Sequence, residues 1–428
     1  MSRGIRLAVA TTLVLVFGCS HTRPFVRGPA AVPAPPLAAV DHRVILIGDA
    51  GAANTDGEPA LDLLEQRVRI APKQTTVVFL GDNVYETGMP EATALEGTAI
   101  EAVLDKTLLT LFESRRDAER RLKAQVKAVR VRGVKAIFLF GNHDWDQFGV
   151  GGWKAVREQQ TFIDAMRKSV DKVDVSALPR DGCPGPVTVE LGRHGRLIAL
   201  DTQWWLDIGE KPSPENPAGC REVTEEAVVA ALEREIVAAK AAGRQPIVVG
   251  HHPLASHGPH AGFVDPIVHL FPMTMMGAYV PLVVKWAPLP VLGSIMAWWR
   301  THFSPSPQDF SGPGNAKLRR ALLGAMTRAA DRGAPPLVYA AGHDHSLQLF
   351  RPKHGPRWTL VSGLGSSAKA SGVRHDSSTV FAHAERMAPG LMEIDLLRDG
   401  AARLGIVEWS ASDPRGVEVY STSLTNAP

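Results

Sequence analysis

The chain has only 3 cysteines in 428 residues, which excludes a small scaffold stapled by many disulfides. Excess charge is also missing. Against 44 Asp and Glu stand 47 Lys and Arg, a net +3, too weak to argue for nucleic acid, and none is expected as a partner. The basic residues gather mainly between Arg115 and Arg132, mixed with Asp117 and Glu119, as on a solvated helix face. No internal repeat is visible. Long apolar runs are absent too. Leu7 to Phe17 is too short to span a bilayer comfortably, and in the apolar stretch Phe263 to Trp299 the prolines Pro272, Pro281, Pro288 and Pro290 leave no unbroken run of about 20 residues. What remains is ordinary globular material, 45% hydrophobic and 21% charged, enough for one large α/β domain or two smaller ones.

The first residues read as an export signal. Arg3 and Arg6 precede the apolar stretch from Leu7 to Phe17. It ends in Val16-Phe17-Gly18-Cys19, which resembles the lipobox of bacterial lipoproteins, whose cysteine is lipidated and becomes the first residue. Phe17 is bulkier than the residue usual there, so ordinary secretory cleavage is the alternative. The expected location is the bacterial cell envelope, lipid-anchored through Cys19. Ser20, in place of an aspartate, favours the outer membrane facing the periplasm. Residues 20–40 read as a Pro/Ala-rich tether, residues 41–412 as the folded domain and 413–428 as a tail. Cys183 and Cys220 lie in Pro/Gly-rich loops. A lipid anchor plus one disulfide would use all three cysteines; two unrelated thiols are the other reading.

From Asp41 onward, strand and helix patterns alternate. Apolar runs predict strands at Arg43 to Ile47, Thr76 to Leu80, Lys135 to Phe140, Leu197 to Leu200, Pro246 to Val249, Leu337 to Ala341 and Trp358 to Val361. Helical spacing predicts helices at Pro59 to Ile70, within Ala94 to Val131, at Glu225 to Ala242 and at Lys317 to Arg332. Leu391 to Leu397 and Ala402 to Trp409, joined by Arg398-Asp399-Gly400, read as a hairpin. Strands separated by helices imply parallel pairing with right-handed crossovers.

Five of these strands stop at a glycine followed by metal-ligand side chains: Gly48-Asp49, Gly81-Asp82-Asn83, Gly141-Asn142-His143-Asp144, Gly250-His251-His252 and Gly342-His343-Asp344-His345. One Gly-Asp is an ordinary turn. Five such endings are hard to explain as turns, because open α/β folds place ligands beyond the strand ends. With Tyr85 added, an oxygen-rich half and a nitrogen-rich half suggest two cations sharing one carboxylate, able to clamp a phosphate and activate a water when about 3.5–4 Å apart.

These five motifs, with Pro253 after His252, resemble in order and spacing the calcineurin-like metallophosphoesterases, from about Val44 to Gln348. Within that superfamily the chain is similar to the purple acid phosphatases. Most relatives carry a histidine two residues after the first aspartate, where this chain has Gly51; the purple acid phosphatase type has a tyrosine three residues after the second aspartate, and Tyr85 is there. Gly342 to Gln348 and Ser362-Gly363-Leu364-Gly365-Ser366 also look like that group. The resemblance implies a four-layer αββα sandwich of two mixed sheets with a dinuclear metal site at the strand ends. It implies Fe(III) held by Asp49, Asp82, Tyr85 and His345. The second ion, Zn, Fe(II) or Mn, would be held by Asp82, Asn142, His251 and His343. A metal-activated hydroxide would attack a phosphate monoester in line. His143 is the first candidate general acid, with Asp144 either orienting it or capping the turn. His257, in His257-Gly258-Pro259, resembles the segment carrying a second active-site histidine, and His252 and His260 are candidate substrate contacts.

The expected activity is therefore that of an exported, acid phosphatase-like enzyme acting on a phosphorylated small molecule. A phosphodiesterase or nucleotidase of the same superfamily is the near alternative. A metal-binding envelope lipoprotein acting through its apolar insertion is the distant one. That insertion, about residues 260–312, reads as a lid over the catalytic face. Its Trp286, Trp298 and Trp299 also suit a membrane interface.

Overall fold

The computed structural model describes residues 24–27, 32–53, 57–91, 115–147, 149–168, 173–274, 282–366, 370–383 and 388–425. The leader with Cys19, and residues 94–114 of the predicted helical zone, lie outside them. Among the described residues no helix is long and apolar enough to cross a membrane.

Four parallel strands, β2 (Val40–Ile47), β3 (Thr75–Phe79), β4 (Lys135–Phe138) and β5 (Asp174–Ala177), form one half of the first sheet. The hairpin β13 (Gly390–Leu397) and β14 (Ala402–Glu408) joins it antiparallel to β2, and β15 (Val417–Ser423) closes its edge. In the second sheet β7 (Gly195–Ala199), β8 (Gln245–Val249), β9 (Val338–Ala341) and β11 (Trp358–Ser362) run parallel. β6 (Val187–Leu191), β10 (Leu347–Phe350), β12 (Thr379–Ala382) and β1 (Phe25–Val26) add antiparallel pairs, so both sheets are mixed.

Successive residues of a strand point to opposite faces, and here both faces are buried. Val44, Leu46, Val78 and Ile137 meet Ala199, Ile247, Val249, Val338 and Ala340 between the sheets. Their neighbours Ile45, Ile47, Val77, Phe79 and Phe138 face outward against helices α1 (Pro59–Val68), α2 (Arg115–Ala128) and α3 (Gly152–Lys168). On the far side Ile198, Val248 and Tyr339 pack under α4 (Glu225–Ala241) and α7 (Pro313–Asp331). This four-layer αββα order explains why the central strands read as unbroken apolar runs. Helix α4 starts where the Thr224 hydroxyl accepts from Ala227 N at 3.2 Å, an N-cap. Within the insertion lie α5 (Pro266–Leu270) and α6 (Pro290–Phe303).

Two predicted boundaries are corrected. The tail, residues 413–428, contains β15, whose Tyr420 packs 5.5 Å from Phe381. Within the tether, residues 20–40, the described residues around Phe25 and Val32 are strapped down. Phe25–Val26 pairs with β12, and the carbonyl of Val32 accepts from Arg403 and Ser421 at 2.9 and 2.8 Å. Both are edge segments with one neighbour and little apolar patterning, so the sequence shows only turns and polarity there.

A buried charge cluster ties α1 to the sheet. Arg43 donates to its cross-strand partner Asp395 at 2.7 Å, and Arg67 donates to Glu393 at 2.6 Å. Burial alone would raise the Glu393 carboxyl, but Arg67, Arg43 and Arg403 hold it below the usual range. Its stabilisation is therefore fully present above the unfolded glutamate pKa and is lost as pH falls through the lower folded value. Glu393→Ala strands buried guanidinium charge and should cost about 3–5 kcal/mol in urea unfolding at neutral pH.

Cys183 and Cys220, 37 residues apart, form a disulfide with a Cα–Cα distance of 5.4 Å. Opening it by Cys183→Ser with Cys220→Ser should lower stability by about 2–4 kcal/mol, read as a melting shift that reductant reproduces in the parent protein.

Candidate metal centre

The glycine-ended strands β2, β3 and β4 of one sheet and β8 and β9 of the other deliver their loops to a common edge. Gly48 and Gly342 abut there so closely that a Cβ on Gly48 would lie 3.0 Å from Gly342 Cα. Asp49, Asp82 and His343 all adopt left-handed backbone, with φ of 62°, 54° and 71°. Residues other than glycine rarely adopt that region, and where they do the strain clusters at functional sites.

At one end of this pocket the Tyr85 hydroxyl lies 3.2 Å from Asp49 Oδ1, 3.1 Å from Asp82 Oδ2 and 3.1 Å from His345 Nε2. One phenol proton cannot fully serve both carboxylates. Burial, reinforced by the Asp82 charge, pushes the Asp49 carboxyl well above its ordinary range. Burial and both carboxylates likewise push the Tyr85 phenol upward. Two carboxylates and a phenol buried together are an arrangement that a cation relieves.

The other end is built by lone pairs. His251 Nδ1 donates to Leu80 O at 2.9 Å and His343 Nε2 donates to Gln308 O at 3.1 Å. Burial lowers the pKa of both imidazoles, so each is neutral with a single N–H. His251 Nε2 and His343 Nδ1 are thereby left as acceptors, 3.2 Å apart. Both face Asn142 Oδ1 at 3.0 Å, and Asp82 Oδ1 lies 3.5 Å from His251 Nε2. Acceptors crowded together without a proton between them fit a cation. Asp82 touches both ends of the pocket. Asp49, Asp82 and His251 place ligand atoms within 4.8 Å of one another, as do His251, His252 and His343.

Gly51 has no room for a side chain. A Cβ there would lie 2.3 Å from the carbonyl carbon of Asn83, so the loop that carries Tyr85 passes where a longer residue would stand. Gly141 is similarly tight, with its virtual Cβ 2.2 Å from Asp82 Oδ1.

The remaining predicted residues divide. His143 packs on Tyr85 with ring centroids 4.2 Å apart, donates from Nδ1 to Glu86 O at 2.6 Å and holds Nε2 3.9 Å from Asp82 Oδ2. Asp144 accepts from the backbone of Gly141, Asn83 and Val84 at 2.9–3.1 Å, bracing the loop that carries Tyr85, while burial and the Asp82 charge push it to about 8. His252 is corrected as a substrate contact: its Nδ1 meets Thr202 at 2.8 Å and its Nε2 meets Gln308 Oε1 at 2.7 Å. Both nitrogens are thus occupied within the protein, which also removes it as a ligand. His257 turns to Asp376, 3.2 Å from its Nε2, and rests edge-on against Phe350, so its predicted catalytic place is not where its ring lies. His260 takes the inner position. Its ring stacks on His343 at 4.1 Å and its Nδ1 meets Asp309 Oδ1 at 2.9 Å.

Three supporting residues were missed. Gln308 and Asp309, from the end of the insertion, bind His343, His252 and His260. Burial would raise Asp309, but His260 and Arg300 bring it down to about 2. Thr202 accepts from the backbone N–H of His251 and His252 at 3.2 and 3.1 Å. Only the strand ending before Asp201-Thr202-Gln203 hinted at it; nothing local marks Gln308 or Asp309.

Residues 14–268 match the model of the calcineurin-like phosphoesterases. That is more than half of the chain, and the protein belongs to this family. Membership implies a dinuclear metal site, and the donors gathered here fit one. Among solved structures, GAP50, the anchor in the inner membrane complex of Plasmodium, is 14% identical, with 90% of this chain and 88% of that chain covered at a TM-score of 0.50. A dimetal phosphatase from Danio rerio is also 14% identical, with 91% and 100% covered at a TM-score of 0.42. The likeness to GAP50 is one of fold. No curated protein sequence matches the chain.

Proposed function

We propose that the protein is an exported, lipid-anchored phosphatase of the purple acid phosphatase type that hydrolyses phosphate monoesters of small molecules. The observation that carries the subtype is Tyr85, whose hydroxyl sits among Asp49, Asp82 and His345 while Gly51 leaves no space for a histidine. Asp49, Asp82, Tyr85 and His345 would hold one ion. Phenolate and carboxylates suit hard Fe(III) there. Asp82, Asn142, His251 and His343 would hold Zn, Fe(II) or Mn. When bound, such a pair supplies an activated water and neutralises charge on a phosphoryl group.

The chain's own residues do the rest. Leu80 O and Gln308 O fix the ring orientation of His251 and His343, as outer partners of metal-binding histidines do. His143, held by Glu86 O through Nδ1, would in its doubly protonated form give the Nε2 proton to a leaving alkoxide and be left neutral with its proton on Nδ1. His260, braced by Asp309, is the better second histidine for contacting substrate oxygens. The Cys183–Cys220 disulfide supports an oxidising compartment, in keeping with export and an envelope location anchored at Cys19.

Assay of the purified protein with nitrophenyl phosphate monoester and diester, each with added Fe, Zn and Mn, tests the activity. Faster monoester turnover is expected; faster diester turnover would transfer the site to a diesterase. Metal binding without hydrolysis of either would favour a binding lipoprotein. A second test is optical. Oxidised, iron-loaded protein should absorb visible light through Tyr85 phenolate-to-iron charge transfer, and Tyr85→Phe should abolish that band. A colourless iron-loaded parent would remove the subtype and leave the wider family.

A further inference from the structure

Helix α6 is built inside out. Its small residues face the protein: a Cβ on Gly293 would lie 2.4 Å from the carbonyl oxygens of Val268 and His269, and Ala297 is buried against Val264 and Val268. Its large apolar residues face outward. Val291 is 74% exposed, Ile295 57%, Trp298 57% and Phe303 58%, with Leu292 and Trp299 beside them and Trp286 exposed on the preceding turn. An amphipathic helix on a protein surface normally shows the opposite arrangement, and a contiguous apolar face of this kind marks a contact surface.

Two observations select the occupant. The first is charge and ring type. Asp265 is the one acid between Phe263 and Phe303, and it is engaged in capping α5 at Ile267 N, 2.8 Å away. Lys285 and His302 share this stretch with the tryptophans, and tryptophan with basic residues is the composition of helices lying in a bilayer interface. The second is the path of the chain. Phe25 stacks on His375 at 3.9 Å, and the adjacent Arg374 lies over the ring of Phe263, where the insertion begins, at 5.7 Å. The described N-terminus therefore emerges beside the base of the insertion. From Phe25 back to Cys19 is a span of at most about 22 Å of extended chain.

We infer that Val291, Leu292, Ile295, Trp298, Trp299 and Phe303 of α6 dock into the interface of the same phospholipid bilayer that would hold the Cys19 lipid. The orientation half of this inference rests on the lipid-anchor reading; the insertion of the face does not. Neither rests on the catalytic assignment. The docked helix would stand beside the metal pocket, because Arg300 on its inner side bonds Asp309 at 3.3 Å, Asp309 bonds His260, and His260 stacks on His343.

The test uses full-length protein with vesicles of mixed phosphatidylethanolamine and phosphatidylglycerol containing brominated acyl chains, which quench nearby tryptophan. Quenching is expected in the parent and should fall in Trp298→Phe with Trp299→Phe to the level set by the remaining tryptophans. Equal quenching in both proteins at saturating lipid overturns the inference. So does a soluble dimer that Ile295→Ser converts to monomer, because the face would then belong to a second copy. Repeating the measurement in Cys19→Ala separates the two halves. Loss of vesicle association with that change alone assigns attachment to the lipid and overturns an independent role for the face. Persistent association that Ile295→Ser weakens about tenfold supports it.

Discussion

Alanine at His143 is expected to lower turnover by about 10²–10⁴ while both metal ions stay bound. The geometry gives the reason for both halves. The imidazole donates from Nδ1 to Glu86 O and packs on Tyr85, so Nε2 is held at the pocket wall, 3.9 Å from Asp82 Oδ2. It has none of the converging lone-pair contacts that His251 and His343 make with Asn142, so its removal leaves those donors in place. A proton donor matters most when the leaving group is a poor one. The defect should therefore be large with alkyl phosphates and much smaller with nitrophenyl phosphate, whose leaving group needs no proton. Metal content measured on the same sample separates this from collapse of the site. Loss of metal in His143→Ala would place His143 among the ligands instead.

Asp82→Ala should have the larger effect. Its carboxylate faces Tyr85 through Oδ2 and His251 through Oδ1, and it also accepts from His143 N at 3.0 Å. Its two oxygens thus lie 3.1 Å from the Tyr85 hydroxyl and 3.5 Å from His251 Nε2, one toward each end of the pocket. Without it the two halves lose their shared donor, and the charge stabilisation of a clamped phosphoryl group, several kcal/mol, goes with it. At about 1.4 kcal/mol per decade, turnover should drop by roughly 10³-fold or more, accompanied by loss of bound metal. Retention of both ions in Asp82→Ala would show that Asp82 is not shared.

How much of this was legible in the sequence depended on where a residue sits. Five of the seven candidate ligands follow directly on a buried strand and a glycine, and Tyr85 and His345 come within four residues of one, so apolar run, close approach and polar side chain appear together within a few positions. Edge segments lack that signal. β15 and β1 have one neighbour each, and their polar, short patterns read as tail and tether. Which loop histidine turns inward was not legible either. His257 and His260 share one loop, and the choice is made by distant partners. Asp344 accepts from His260 N at 3.1 Å and Asp309 from its ring, while Gln348 takes His257 N at 2.9 Å. His252 looked available because it follows His251, but Thr202 and Gln308, 50 and 56 residues away, hold both its nitrogens. Contacts set by tertiary packing leave no local trace.

Anomalous diffraction from crystals of the metal-loaded protein bears most directly on the central claim. Two peaks about 3.5–4 Å apart are expected, one among Asp49, Tyr85 and His345, the other among Asn142, His251 and His343, with Asp82 between them. A single peak, or none, with those seven side chains ordered would contradict a dinuclear phosphatase site.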